Sequence, residues 1–354
     1  MIVYIIAAVL VFGLLVFLHE LGHFMAAKAC GVRVNEFALG MGPVLWKTQR
    51  GETQYALRLF PVGGFCAMEG EEDDSDDPHS LYRQSLPKKL LIFLAGPAMN
   101  FLTGLVIVFF LYAGAEAFYT PTITGFADGC PLQGEDGLQV GDRLTHIDGE
   151  RVYMYSDVGL LLGLNKTGVY DLKVRRGSES VTLHDFAMTV QEYPDQSGQT
   201  YRGYGLFFGT EKADWTLRLT NTWNNAVDFV RLVRLSLEML LTGQAGIKDL
   251  SGPVGIVTVM AQAGEQSANI WAAVENIAYI GALIAVNLAV MNLLPLPALD
   301  GGHIFLLLVN GVSMLLFKRK IPPKFENYIH FAGLVLLLGL MAVVVCSDVW
   351  KLIR

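Results

Sequence analysis

The sequence carries little charge. Only 17% of its 354 residues are charged and 53% are hydrophobic, whereas soluble chains carry about 25% charged residues. It has no block of basic residues of the kind that contacts a phosphate backbone, which argues against a nucleic-acid partner. Its four cysteines form no CxxC pair and no regular framework, so neither a disulfide scaffold nor a cysteine metal cluster is expected. This composition favours a membrane protein.

Four apolar runs are long enough to cross about 30 Å of hydrocarbon. The first covers 2–18, with a helical pattern that continues to 27, and the others cover 90–118, 271–317 (interrupted) and 328–345. They predict an α-helical integral membrane protein with four transmembrane helices. The segment 214–241 is different, because charged residues recur in it at helical spacing. It predicts an amphipathic helix lying on the membrane or on the protein.

Lys and Arg in short loops predict the orientation of the spans. Basic residues cluster between the first two runs, in 28–89, and after the third run, in 318–324. Both loops are therefore expected to be cytoplasmic in a multi-pass protein of the cell membrane. The segment 119–270 and both termini are then extracytoplasmic. The acidic insert 70–78 is expected to be a solvated cytoplasmic loop.

Short alternating runs broken by Gly, Pro and Asp predict an α+β domain inserted between the second and third spans. Its most informative stretch, 137–152, reads GLQVGDRLTHIDGERV and resembles the signature of a PDZ domain, a fold that accepts an extended peptide as an added strand. Another small β domain is the alternative. The predicted parts are an N-terminal membrane part (1–118), the PDZ domain (119–190), connecting strands with the amphipathic helix (191–269), and a C-terminal membrane part (270–354).

An HExxH motif, His19-Glu20-Leu21-Gly22-His23, closes the first apolar run. Residues four apart share a helix face, so both imidazoles can bind one Zn²⁺ while Glu20 lies near a water on the metal. The metal would lower the pKa of that water toward about 7, and Glu20 would act as its general base. The structural alternative is a set of polar residues at a helix end. Two His and a Glu in an apolar helix are costly in lipid, which weakens that alternative.

A catalytic zinc needs a third protein ligand. Asp300 is the leading candidate, because it lies in a segment, 292–303, whose prolines and glycines break the third run. Such a break is tolerated at membrane depth where it lines a cavity, and a carboxylate there is a functional candidate. Capping of the following helix by Asp300 and ligation by His303 are the alternatives. The histidines for which the sequence suggests no role are His79, His146, His184 and His330.

Taken together, HExxH in the first span and Asn292-x-x-Pro-x-Pro-x-Leu-Asp-Gly301 in the third resemble the site-2 protease family of intramembrane zinc metalloproteases. The order span, span, PDZ, span, span resembles its bacterial RseP-like branch, in a form with a single PDZ domain. The best-known members carry two PDZ domains in tandem, so the gating role of that tandem does not transfer. Further segments that fit the branch are 38–42, 60–65, 95–101 and 251–256.

The resemblance implies zinc ligands His19, His23 and Asp300, with Glu20 as the catalytic base. It also implies that certain further residues bind the substrate strand or the developing oxyanion: Asn292, Asn287, Gly40 and Gly42. The segment 54–68 resembles the membrane-associated β-hairpin of the family, whose edge could pair with an unwound substrate helix.

By the same resemblance, the substrates would be single-span membrane proteins such as anti-sigma factors or remnant signal peptides, and the PDZ domain would contact substrate or a regulatory peptide. Two other classes compete. One is a non-catalytic membrane scaffold whose PDZ domain binds exposed tails. The other is a metal-binding permease, which is disfavoured because the spans show no inverted repeat.

Overall fold

The structure is a computed structural model that describes residues 1–71, 75–194, 200–246, 250–318 and 322–353. Residues 72–74 of the acidic insert and 319–321 of the second basic loop lie outside this range. The chain divides into two compact units, one formed by 1–108 with 229–354 and the other by 109–228.

The first unit is mainly helical. Its helices are α1 (Ile2–Cys30), α2 (Leu86–Ala113, which ends in the second unit), α5 (Pro253–Glu265), α6 (Ile270–Asn292), α7 (Asp300–Phe317) and α8 (Pro323–Ile353). Among the described residues, five helices are long and apolar enough to cross a membrane, namely all of these except α5. The chain is therefore a multi-pass membrane protein.

The structure corrects the predicted third span. The run 271–317 consists of two helices, α6 and α7, and each is long enough to count as a candidate span. Pro295 and Pro297 separate them, because proline supplies no N–H for a helix interior and clashes with the preceding turn. Four transmembrane helices are predicted from sequence, whereas the described residues contain five helices that are candidate spans.

A β-hairpin follows α1. Its strands are β1 (Val34–Arg50) and β2 (Thr53–Met68), so the predicted hairpin segment is the second strand of a longer ribbon. Residues 36–39 of β1 pair on two sides, with 54–57 and with 64–67 of β2; Leu39, for example, faces both Leu57 and Gly64. The ribbon therefore curls back on itself and leaves 64–68 as an outer segment.

The helix α4 (Trp215–Leu241) occupies the segment predicted to be amphipathic, and it is not a candidate span. The charged residues that recur along it are divided between the interior and the surface, since Arg234 and Glu238 are exposed. Asp228 and Arg231 are buried, whereas Trp215 and Trp223 are largely exposed. Near its start, Asn225 donates a hydrogen bond to the Tyr112 hydroxyl at 3.0 Å. The helix is amphipathic, with much of its polar side facing inward.

The second unit contains a small α+β fold. Its strands are β3 (Ala117–Phe126), β4 (Arg143–Ile147), β5 (Glu150–Arg151), β6 (Val169–Arg176), β7 (Glu179–Ala187), β8 (Gln191–Pro194), β9 (Thr200–Gly203) and β10 (Leu206–Lys212), and its helix α3 is Tyr155–Leu164. The main sheet has the order β10-β3-β4-β6-β7, and β5 pairs with β4. The strand β10, beyond the predicted boundary at 190, therefore completes this sheet.

The stretch 137–152 supplies both the core and a turn of this fold. Its apolar residues Leu138, Leu144, Ile147 and Val152 are buried in the core of the unit. Asp148 and Gly149 both have positive φ and join β4 to β5, as a two-residue hairpin turn requires. The sequence pattern thus places the two buried apolar residues of β4, Leu144 and Ile147, in the core and a tight turn directly after the strand.

An ion pair between the buried Asp142 and Arg176 links this stretch to the end of β6. The fully buried Asp142 carboxylate accepts hydrogen bonds from Nε and Nη2 of Arg176, both at 2.8 Å. The same Nη2 donates to the Gly137 carbonyl at 2.8 Å. Hydrogen bonding to Asp142 raises the pKa of the Arg176 guanidinium, so the guanidinium stays charged.

Replacement of Arg176 should destabilise the α+β fold. In Arg176→Met the Asp142 charge stays buried without its partner, which should cost about 3 kcal/mol of unfolding free energy. The measurement is limited proteolysis of the full chain in detergent across a temperature series, with the exposed neighbour Arg175→Met as the control. Equal protease resistance in the two variants would contradict a stabilising role for the pair.

Candidate active site

The two histidines of HExxH lie on one face of α1. His19 Nε2 and His23 Nε2 are 3.2 Å apart, because residues at i and i+4 stack along a helix. His23 is buried, and both side chains project toward α2 and α7. The helix thus presents two nitrogen ligand atoms to a single point.

Asp300 supplies the third group. It is the first residue of α7, directly after the break at 293–299. Its Oδ2 lies 3.2 Å from His19 Nε2, and its Oδ1 lies 3.3 Å from His23 Nε2. Leu299 is the N-cap of α7 and makes no side-chain cap bond. The carboxylate faces the histidines, so the capping alternative is not observed.

His303 is near this cluster but outside it. Among the described residues, the only group of three or more potential ligands is His19, His23 and Asp300, whose ligand atoms lie within 4.8 Å of one another. The His303 ring stacks instead between Phe93, at 4.7 Å between centroids, and His330, at 3.8 Å. The rival ligand therefore occupies a ring stack beside the cluster.

Helix α2 contacts the remaining ring nitrogens of both histidines. His23 Nδ1 lies 2.8 Å from the carbonyl oxygen of Ile92, and His19 Nδ1 lies 3.2 Å from the side-chain amide of the buried Asn100. Neither Ile92 nor Asn100 is among the site residues predicted from sequence, although an amide within an otherwise apolar span is a usable signal for Asn100.

Close approach between α1 and α2 depends on glycine at the contact. A Cβ on Gly96 would lie 2.2 Å from His23 Nε2 and 2.8 Å from His19 Cε1. Similarly, a Cβ on Gly22 would lie 2.4 Å from the Ala95 carbonyl oxygen. Contacts this short do not occur between real Cβ atoms, so only glycine lets the imidazoles pack against the backbone of α2.

A cavity of about 590 Å³ opens onto the cluster. Glu20 lies in its wall together with the three clustered residues, and the outer hairpin segment 65–68 forms another part of the wall. The Cys66 backbone N–H faces the Glu20 carboxylate. Burial raises the pKa of the Cys66 thiol, so this cysteine stays neutral and is a poor nucleophile.

The other predicted site residues are distributed unevenly. Asn292, at the end of α6, lines the cavity, whereas Asn287 is exposed on α6 and is not among the lining residues. Gly40 and Gly42 lie on β1, packed against Phe60 of β2, and they do not line the cavity either. The structure therefore brings Asn292 to the site but not Asn287, Gly40 or Gly42.

The spacing of the three ligand groups fits zinc. Zn–N and Zn–O distances of about 2.0–2.2 Å in a tetrahedron place neighbouring ligand atoms about 3.3–3.5 Å apart. Here the two Nε2 atoms lie 3.2 Å apart, and each faces a different oxygen of the Asp300 carboxylate, His19 Nε2 at 3.2 Å from Oδ2 and His23 Nε2 at 3.3 Å from Oδ1. Two imidazoles and one carboxylate also leave a fourth position open, as in catalytic rather than structural zinc sites.

Comparison with known proteins agrees with this geometry. The family model described as Peptidase family M50 matches residues 7–340. The chain belongs to peptidase family M50. This family is that of the site-2 proteases, so the predicted resemblance is confirmed and the chain is a zinc metalloprotease.

Several relatives match along almost the whole chain. A Clostridium perfringens protein named "Putative zinc metalloprotease CPE1693" is 36% identical over 98% of this chain and 98% of its own length. "Regulator of sigma-W protease RasP" of Bacillus subtilis is 26% identical, again over 98% of both chains. "Zinc metalloprotease RasP" of Shouchella clausii is 26% identical over 98% of this chain and 99% of its own length.

A methyl group at Gly96 should weaken metal binding. In Gly96→Ala the new Cβ displaces both imidazoles, and zinc affinity should fall at least about tenfold. The measurement is chelator competition on protein purified in detergent. The control for general damage to helix packing is Gly104→Ala. Gly104 is also on α2, and its new Cβ would lie 2.7 Å from the Val286 side chain on α6. Wild-type affinity in Gly96→Ala would show that the rings do not need this contact.

Proposed function

We propose that the chain is an intramembrane protease that cuts single-span membrane proteins within or beside the bilayer, with His19, His23 and Asp300 as zinc ligands and Glu20 as general base. The observation that carries the proposal is the convergence of these four side chains on one cavity, three of them at zinc-ligand spacing. They belong to α1 and α7, both candidate membrane spans.

The contacts of α2 suit this ligand set. Because both Nε2 atoms point to the metal position, the proton of each ring must be on Nδ1. The Ile92 carbonyl accepts the proton of His23. The Asn100 amide oxygen is buried and has no hydrogen-bond partner among the described residues. If the amide turns so that this oxygen faces the ring, it can accept the Nδ1 proton of His19.

When bound, zinc supplies a Lewis acid that polarises the peptide carbonyl and increases the acidity of water. Glu20 then accepts the proton of the attacking water and returns it to the leaving nitrogen. Asn292, in the cavity wall, can donate an uncharged hydrogen bond to the developing oxyanion.

The hairpin offers a way to hold an extended substrate. Its outer segment 64–68 pairs with β1 along one edge, and residues 65–68 line the cavity. A peptide bond in a helix is shielded until the helix opens, and an unwound segment could add to this strand edge. Gly40 and Gly42, with φ of +85° and +83°, then shape the hairpin rather than contact the substrate.

Contacts within the first unit favour four crossings. Ile277 and Ile284 of α6 share a core cluster with Ala8 and Leu15 of α1, and a Cβ on Gly281 would lie 3.0 Å from Val11 of α1. Further along, Ile304 and Leu307 of α7 join the cluster that contains Ala27 and Cys30. The helices α6 and α7 thus follow α1 in the same direction and together form one interrupted crossing.

This path agrees with the distribution of basic residues. A cavity near the end of α7 is lined by Met314 together with Tyr82 and Arg83, which precede α2, and Lys89 in its first turn, so the C-terminal end of α7 should lie on the same side as 28–89. By the positive-inside rule that side is cytoplasmic. The active site, near the end of α1, then lies toward the cytoplasm and the α+β domain lies outside.

The substrates follow from the same reasoning. One relative is named "Regulator of sigma-W protease RasP", and the proposed active site opens between membrane helices. Single-span proteins such as anti-sigma factors or remnant signal peptides would reach such a site laterally.

The α+β domain is proposed to be a PDZ domain. Its groove of about 270 Å³ lies between α3 and β10, lined by Val158 and Leu162 on one side and Leu206 and Phe208 on the other. Among the described residues, β10 pairs only with β3, so a peptide could add as the next strand. Its partner would be substrate or a regulatory peptide.

The catalytic assignment predicts that a variant of the general base loses activity but still binds zinc, whereas variants of the ligands lose both. Glu20→Gln should retain zinc and lose cleavage of a tagged single-span substrate by about 10²–10⁴-fold, because the general base is missing. His23→Phe and Asp300→Asn should lose zinc as well. The measurements are cleavage by purified protein in detergent and zinc content of the same samples.

The same samples test the alternatives. Unchanged zinc in both His23→Phe and Asp300→Asn would rule out this ligand set. Cleavage by Glu20→Gln at the wild-type rate would remove Glu20 from the mechanism. If wild type neither cuts nor holds zinc, the non-catalytic scaffold becomes the better interpretation.

Filling the groove should change substrate preference without affecting the metal. Gly159 lines the groove on α3, and a Cβ there meets nothing within 4 Å, so Gly159→Trp should fold and block the groove. Gly163→Trp, on the same helix, is equally open and does not line the groove. Relative cleavage rates over a panel of single-span substrates should shift only in Gly159→Trp, with zinc content equal. Identical panels would argue against a peptide-binding groove.

A further inference from the structure

Among the described residues, the Asp300 carboxylate has few interactions that orient it. In the part of the chain that the structure describes, its oxygens pair only with His19 and His23. Zinc-ligating carboxylates are commonly oriented by hydrogen bonds from an outer shell. Because no such donor reaches this one, its position depends on the backbone that leads into α7.

That backbone has an unusual conformation at Ala298, two residues before the carboxylate. Its φ is +70°, a region that L-residues other than Gly, Asn and Asp seldom occupy. Its N–H donates a hydrogen bond to Nδ1 of His330, at 3.0 Å, across 32 residues of sequence. A side chain of α8 thus holds the strained residue.

The same helix also packs against the break itself. A Cβ on Gly333, one turn after His330, would lie 2.2 Å from Pro297 Cβ and 2.9 Å from the Pro297 carbonyl carbon. The helix α8 therefore approaches the segment 293–299 as closely as a backbone can. This contact is independent of the hydrogen bond and acts on the neighbouring residue.

Ring stacking fixes the orientation of His330. Its ring lies 3.8 Å from that of His303, at an interplanar angle of 14°, and His303 stacks in turn on Phe93 of α2. The stack limits rotation of the imidazole, so Nδ1 stays directed at the Ala298 N–H. To accept this bond the ring must carry its proton on Nε2.

We infer that His330 is a positioning residue for the third metal ligand: by accepting the Ala298 N–H, it holds the segment 297–299 so that Asp300 meets His19 and His23. The inference rests on the proposed ligand set. It gives the last helix, which contributes no ligand, a part in the metal site. The occupancy of that site then depends on the packing of α8.

The test separates the hydrogen bond from the stack. His330→Phe keeps a ring on His303 but has no acceptor, whereas His330→Asn has an acceptor oxygen but no ring. Gly333→Ala displaces Pro297 directly. Gly339→Ala, on the same helix with nothing within 4 Å of its Cβ, is the matched control. Zinc affinity is measured for each full-length protein in detergent by chelator competition, alongside kcat and KM.

We expect zinc affinity to fall about 10–100-fold in His330→Phe and Gly333→Ala, and to stay close to wild type in His330→Asn and Gly339→Ala. With zinc in excess, kcat should recover and KM should be unchanged. Wild-type affinity in His330→Phe would overturn the inference, whatever the affinity of Gly333→Ala, because the proposed role belongs to the His330 acceptor. Absence of zinc from the wild-type protein would instead refute the proposed ligand set.

Discussion

Burial of two imidazoles and two carboxylates among apolar helices is the constraint on which the site depends. Unpaired, such groups would be expensive at membrane depth. Here both His19 and His23 lie at ion-pair distance from the Asp300 carboxylate. The carbonyl of Ile92 on α2 lies at hydrogen-bond distance from Nδ1 of His23. The cluster is therefore tolerated only while α1, α2 and α7 stay in register, which couples the chemistry of the site to helix packing.

Glycine and proline make that register possible. Gly96 lets the imidazoles lie on the backbone of α2, and the prolines at 295 and 297 interrupt the apolar run so that a carboxylate can begin a new helix at the metal position. A continuous helix would carry Asp300 past the histidines. The interruption has a cost, because its backbone needs partners, and one of them is provided by His330.

Much of this could be predicted from sequence, because local patterns carry it. HExxH fixes two side chains on one helix face, and the stretch 137–152 fixes a set of buried apolar residues and a turn. The remainder depends on long-range contacts. Apolar helices have no polar face to reveal their neighbours, so the contacts of Asn100 with His19 and of His330 with Ala298 leave no periodic signal. The spacing of charged residues in α4 likewise does not show that Asp228 and Arg231 are buried.

The length of the helices alone does not determine the number of membrane crossings. Each of α6 and α7 is long enough to span a bilayer, and counting them separately would place the two basic loops on opposite sides. If both helices follow α1 in the same direction, as proposed, this conflict does not arise. At about 1.5 Å per residue, the 29 residues of α1 extend about 43 Å. This exceeds the hydrocarbon thickness of about 30 Å, so a site near one end of the helix can lie within reach of water.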